Sequence, residues 1–202
     1  MQTKTFDAKR MVTLAMLSGI LLVMSFTPLG YLNIGPLAIS LNMIPVAIGA
    51  VALGPGGGAF LGAVFGITSC LQCIGIGGTS LMGVATFEIS PILTIIQRFV
   101  PRLLAGWISG WVCMGSRKIS HTLSYFTTGF CAAALNTVLF MLALVLLFAN
   151  TDYLQNLMAG KDVLTFIFTF VGVNAVVEML ATTAIVGTVC KALERTRLFG
   201  GK

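Results

Sequence analysis

Arg98 and Arg102 stand four residues apart inside an otherwise apolar stretch, Pro91 to Cys113, that reads PILTIIQRFVPRLLAGWISGWVC. A helix of that length can cross a bilayer, which takes roughly 20 residues. At positions i and i+4 the two guanidinium groups share one face of the helix, one turn apart. A single arginine at the centre of a membrane helix costs about 2.5–3.5 kcal/mol on insertion scales. Two on one face, with Pro101 between them, call for an interior pocket rather than lipid. The chemistry they can do there is anion capture, because a guanidinium presents parallel N–H donors that match a carboxylate bidentately. At about 1.5 Å per residue from Pro91, Arg98 lies on the order of 10 Å deep and Arg102 about 16 Å deep. That depth suits a pocket open to the outside.

Other polar residues fall in apolar runs and complete the set. Glu178 is the one carboxylate expected deep in the membrane, and Asn174 precedes it by one helical turn. An intramembrane acid normally has a partner. An ion pair of Glu178 with Arg98 or Arg102 is expected, supported by Asn136 and Asn174, with the second arginine left to meet the solute's anion. Asn42, Asn136 and Asn174 carry amides that both donate and accept, which suits neutral polar groups on the same solute. Tyr31 is read as an interfacial anchor or part of a lid.

The elements that must position these residues are membrane helices. Of the 202 residues 57% are hydrophobic and only 9% charged, against roughly 25% charged in soluble domains. Apolar runs fall at about 11–27, 36–53, 58–74, 91–113, 123–149 and 163–190. The fold expected is therefore an all-α integral membrane protein, a single domain of six transmembrane helices. Lys4, Lys9, Arg10, Arg117, Lys118, Lys191, Arg195, Arg197 and Lys202 all fall on the face shared by the termini, and Lys161 alone on the other. By the positive-inside rule both termini are cytoplasmic. The net charge of +6 is then a topology signal, not a footprint for nucleic acid. The first apolar run lacks a following cleavage site and polar domain, so it reads as a retained helix.

Loops and small residues refine the arrangement. Ala15 and Gly19, four apart in the first span, make a small-residue face on which another helix can lie closely. Thr27 to Ile39 reads as an outward loop leading into a proline-started second helix, with Asn42 and Pro45 in its outer half. Gly58, Gly62 and Gly66 form a smooth ridge along the third span, as close helix packing requires. Leu71 to Ser90, charged only at Glu88, is a long glycine-rich loop, read as a movable cover.

Several activities are excluded. The LGPGGGAF turn lacks the Lys-Ser/Thr of a phosphate-binding loop. Cys70 and Cys73 form a CxxC without a second pair or a nearby histidine, so no metal is expected. The lone histidine, His121, reads as a solvated residue beside Arg117 and Lys118. With one buried acid and no buried base, an intramembrane enzyme has no constellation to work with.

The six spans, the Ala15/Gly19 pattern and the IPVAIGAVALGPGGGAFLGAVFGITS stretch (Ile44 to Ser69) together resemble the substrate-capture (S) components of energy-coupling factor vitamin transporters. The resemblance covers about residues 10 to 195, and the SPILTIIQRFVPRLLAG block (Ser90 to Gly106) is most similar to the pantothenate type. The resemblance implies high-affinity capture of a vitamin from outside. It places the pocket in the outer halves of the later helices, under the first and third external loops. It also implies delivery inward by toppling, with a transmembrane T subunit and two ATPase subunits, in the plasma membrane of a prokaryote. No cofactor is expected on this chain, ATP being used by the partners. Ala15 and Gly19 match the family's docking face, with glycine where alanine is commoner. Pantothenate, with one carboxylate, an amide and hydroxyls, fits the arginines and asparagines. Folate or riboflavin is the alternative within the family, and an autonomous proton-coupled carrier using Glu178 is the alternative outside it.

Overall fold

The structure, a computed structural model, describes residues 8–27, 30–34, 37–77, 80–158 and 163–194. Its elements run α1 (Ala8–Phe26), β1 (Tyr31–Ile34), β2 (Leu37–Ser40), α2 (Met43–Cys73), α3 (Leu81–Ile89), α4 (Pro91–Ser116), α5 (His121–Phe148), α6 (Asp152–Met158) and α7 (Val163–Glu194). α4, which carries both arginines, packs between α2 and α5; α7 packs on α5, α1 on α2, and α3 lies against α2 and α4.

α2 is not one rod. Gly54 has φ 75° and ψ −163° in its middle, a backbone conformation open to glycine and strained for side-chain-bearing residues. Pro55 then begins the next limb, where its missing N–H costs nothing. The two limbs, 43–53 and 55–73, fold back on each other. A methyl group on Gly58 would lie 3.0 Å from the Cβ of Ala50, although residues eight apart in a straight helix are about 12 Å apart. Two crossing segments expected from the sequence, 36–53 and 58–74, thus meet at a tight turn.

The glycine ridge does what its spacing foretold. Along the second limb, Gly58 faces the backbone of Gly106, Gly62 faces Arg102 and Leu103, and Gly66 faces Phe99. A Cβ on Gly62 would fall 3.1 Å from the Cα of Leu103, and one on Gly66 3.0 Å from the Cα of Phe99. The absent side chains let α4 lie backbone to backbone on α2, and this contact sets the depth and rotation at which α4 presents its arginines.

Two expectations are corrected. The fold is not wholly α: residues 31–34 and 37–40 pair as an antiparallel ladder, Tyr31 opposite Ser40 and Ile34 opposite Leu37. The helix expected from residue 36 therefore starts at Met43. A proline fixes φ near −65°, which suits a turn as well as a helix's first residue, and the flanking Tyr, Leu and Ile favour a ladder. The expected loop from Leu71 to Ser90 likewise contains a helix, α3, whose N-cap Ser80 accepts a hydrogen bond from the Gly83 backbone N–H.

Among the described residues, four helices are long and apolar enough to cross a membrane: Ala8–Phe26, Met43–Cys73, His121–Phe148 and, within α7, Asn174–Glu194. α4, at 26 residues, has the length but carries the two charges. One end of the bundle gathers the start of α1, the α2 turn and the end of α4, for Arg10 donates to the carbonyl of Leu53 (3.4 Å) and Arg117 to that of Val51 (2.6 Å). The β-hairpin and α3 cover the opposite end. Of the residues used above to orient the bundle, Lys4, Lys161, Arg195, Arg197 and Lys202 lie outside the described residues.

Two apolar clusters fill the interior. One joins Leu17, Leu21, Val46, Phe65, Ala105 and Ala132 with Val186. The other, towards the hairpin end, joins Met141, Leu144, Phe148, Leu154 and Ala175, with Leu93 and Phe140 against it. On α4 the arginines fall between Leu93 of the second cluster and Ala105 of the first. On α5, Asn136 falls between Ala132 and Met141. The polar residues form a layer at the junction of the two.

Candidate functional site: a buried arginine pair

Both arginines are inside the protein. Arg98 is 5% exposed, Arg102 6%, Glu178 7% and Asn136 8%. Their guanidinium groups rest on aromatic rings: the Cζ of Arg102 lies 4.7 Å from the Phe65 ring centre and 5.2 Å from that of Phe140, and the Cζ of Arg98 lies 5.6 Å from Phe140. Phe140 is thus shared by both cations. Such contacts stabilise a buried cation by about 2 kcal/mol when desolvated without neutralising it.

The two arginines then diverge. Arg102 turns back on its own helix, donating from Nη1 to the Arg98 carbonyl (2.6 Å), and its charge acts on Glu178. Glu178 is also met by the Asn136 side chain and the Ser40 backbone N–H. One carboxyl group thereby joins α7, α5 and the last residue of β2. Of the two arginines, Arg102 is the one whose charge acts on Glu178. Arg98 reaches the other way, donating from Nη1 to Ser69 Oγ (3.2 Å) and from Nη2 to Ser80 Oγ (3.1 Å). Among the described residues its guanidinium meets neutral hydroxyls and a ring, and no carboxylate.

The remaining expected residues are dispersed. Asn174 lies one turn from Glu178 on α7 and is half-buried. Asn42 is fully buried, but its amide oxygen faces Gly30, 2.8 Å from where a Cβ there would stand. It lies at the base of the hairpin, and neither of its amide atoms has a hydrogen-bond partner. Tyr31 sits in β1 opposite Ser40, while its side chain lies outside the described residues. Ala15 and Gly19 are exposed on α1, beside exposed Met11, Val12, Met16 and Ile20. They therefore do not serve packing within this chain. His121 is exposed at the start of α5, and no grouping of metal-binding side chains occurs among the described residues.

Several residues at the layer escaped the sequence reading. Phe65 and Phe140 look like any apolar residue of a membrane helix. Ser69 and Ser80 carry no signal beyond their small size and polarity. Gln97, beside Arg98, is 1% exposed with neither amide atom partnered, and its polar side chain within an apolar run was the available clue. The second oxygen of Glu178 and the amide oxygen of Asn136 are also buried without a hydrogen bond. Unmet buried polar atoms are costly and rare in folded interiors, and those of Gln97, Asn136 and Glu178 accompany the unmet Nε atoms of both arginines.

A separate open cleft of about 500 Å³ lies between α3 and α6, lined by Ala85, Glu88, Ile89, Asn150, Thr151, Asp152 and Tyr153. Burial pushes the Tyr153 phenol pKa up, and the charge of Arg98 works against that rise. The field of Arg98 therefore reaches the cleft's wall.

A buried, arginine-centred polar layer under a hairpin and a short helix presents N–H donors of the kind that match an anionic group. Residues 9–189 match the family of ECF transporter substrate-specific components, and the chain belongs to that family. It is thus a transporter component and not an enzyme. It is 28% identical to the pantothenic acid transporter PanT of Lactococcus lactis subsp. cremoris (strain MG1363) over 207 residues, 94% of this chain and 97% of that protein. Its fold is similar to the crystal structure of the S-component for biotin from an ECF-type ABC transporter, with TM-score 0.55 and 18% identity over 95% of each chain.

Proposed function

We propose that this protein captures pantothenate at the outer face of a prokaryotic plasma membrane and hands it inward together with a transmembrane T subunit and two ATPase subunits. In this reading six segments cross the bilayer: α1, the two limbs of α2, α4, α5 and α7. The termini are cytoplasmic, and the hairpin and α3 face outward. Arg98 holds the carboxylate. Asn136, Glu178 and Asn174 offer donors and acceptors for the amide and hydroxyls, and the charge of Arg102 acts on Glu178.

The observation that carries this reading is Arg98 itself: a buried guanidinium held by two hydroxyls and a ring, with no carboxylate against it among the described residues. A buried charge without a counter-charge is destabilising, and a ligand carboxylate supplies one with bidentate geometry. Pantothenate has a single carboxylate, which matches one such arginine, and the likeness to PanT over nearly the whole chain supports the same choice. Riboflavin would call for a stacking platform and no anion site.

The test is calorimetry on the purified protein with pantothenate, folate, riboflavin and biotin, beside mass spectrometry of whatever remains bound after gentle purification. Pantothenate is expected to bind tightly and to be the retained molecule. Retention of a different vitamin, with no heat from pantothenate, overturns the substrate. Proteoliposomes containing this chain alone should show no proton-driven uptake; uptake there would favour an autonomous carrier instead.

A further inference from the structure

The feature the capture reading does not use is the pair of serines at the two ends of the Arg98 fork. Ser69 sits on the second limb of α2, fully buried, and takes Nη1; Ser80 sits at the start of α3 and takes Nη2. Ser80 Oγ also accepts the Gly83 backbone N–H (3.3 Å) and so caps α3. Gly83 lies directly over the guanidinium, where a Cβ would stand 2.8 Å from Nη2. A guanidinium is planar, and fixing one N–H at each terminal nitrogen fixes both the tilt and the rotation of that plane. With the Phe140 ring beside it, Arg98 has little freedom left. Its Nε–H is buried and has no hydrogen-bond partner.

We infer that Ser69 and Ser80 are positioning residues for the substrate carboxylate, aiming the edge of Arg98 before the ligand arrives. The effect is one of preorganisation. A four-bond side chain that must be ordered on binding loses affinity, and one already ordered does not. Neither serine need touch the ligand. Because Ser80 serves Arg98 and the α3 cap with one oxygen, the placement of the helix over the site and the aim of the arginine are set together. Ser69 fixes the arginine from the opposite side without belonging to the cover.

This inference rests on the reading that Arg98 holds the carboxylate, and a double-mutant cycle separates the two. Pantothenate affinity is measured by calorimetry for the wild type, Ser69→Ala, Arg98→Ala and the double variant Ser69→Ala/Arg98→Ala. Ser69→Ala alone should weaken binding about ten-fold, and the same change in the Arg98→Ala background should weaken it no further. Ser80→Gly removes the hydroxyl while nearly preserving the cap. It should behave like Ser69→Ala, with Ser80→Thr restoring the affinity. Equal losses from Ser69→Ala with and without Arg98 would mean a general structural role and overturn the inference, as would wild-type affinity in both serine variants. If the wild type ignores pantothenate, or if Arg98→Ala binds it unchanged, the capture reading itself fails and takes this inference with it.

Discussion

Arg98 and Arg102 are the same residue type one turn apart, yet their surroundings assign them different work. Arg102 shares its charge with Glu178, whereas Arg98 is held by hydroxyls. Removing one member of a buried charge pair strands the other, which costs about 3–5 kcal/mol. Arg102→Ala should therefore lower the thermal unfolding temperature sharply, and adding Glu178→Gln should recover part of the loss because no buried acid is then left without its counter-charge. An unchanged melting temperature for Arg102→Ala would show that the two groups are not coupled. Arg98→Ala leaves no carboxylate stranded. It should keep the melting temperature near wild type while pantothenate affinity falls about a hundred-fold, since hydrogen bonds to charged groups contribute about 1.5–3 kcal/mol each. These roles were only half legible in the sequence. Charged and amide side chains announce themselves in an apolar run because lipid penalises them, so Arg98, Arg102, Asn136 and Glu178 stood out. Serines and phenylalanines carry no such penalty, so the groups that hold the guanidinium planes were silent. Asn42 stood out for the same reason as the others.

Helices position these side chains through backbone contact more than through side-chain fit. The second limb of α2 presents Gly58, Gly62 and Gly66 to α4, and the chain atoms opposite are main chain that cannot swing aside. Gly62→Leu should push α4 away at the level of Arg102 and misplace both guanidinium groups. Overpacking of this kind costs about 1–3 kcal/mol or more. The expected result is a lower melting temperature in detergent together with weakened pantothenate binding, while wild-type values for both would show that the ridge does not set the position of α4. This part of the architecture could be read from the four-residue spacing alone, since glycine at that period has one dominant use between membrane helices. The hairpin and α3 could not be read in the same way. A short run of Tyr, Leu and Ile next to Gly and Pro fits a strand pair, a turn or the first turn of a helix. What selects the strand pair is tertiary: the Ser40 N–H at the end of β2 meets Glu178, a residue far away in the sequence. The helical nature of 81–89 was likewise hidden, because Ser80 becomes a cap only once Gly83 folds back to it.

For the molecule as a whole, the proposed function divides capture and delivery between two surfaces. The arginine layer is inside, under the hairpin and α3, while the small residues Ala15 and Gly19 are on the outside of α1 among exposed methionines and aliphatics. Space around Gly19 is open, with no atom within 4 Å of where its Cβ would be. A larger side chain there meets nothing in this protein, so replacing Ala15 and Gly19 by leucine should leave folding and pantothenate binding intact. It would, however, hold any second helix away from the backbone of α1, where small residues permit close approach. Cells carrying the double variant together with the proposed T and ATPase partners should therefore lose pantothenate uptake, although the purified variant still binds pantothenate at wild-type affinity. Undiminished uptake would remove α1 as the docking face. A parallel loss of binding would show instead that these positions support the pocket from within, which the open surroundings of Gly19 argue against. On the proposed function the separation follows from the fold: the ligand is held in a layer that a partner would never need to touch, and the outer surface of α1 is left for that partner whether or not the layer is filled.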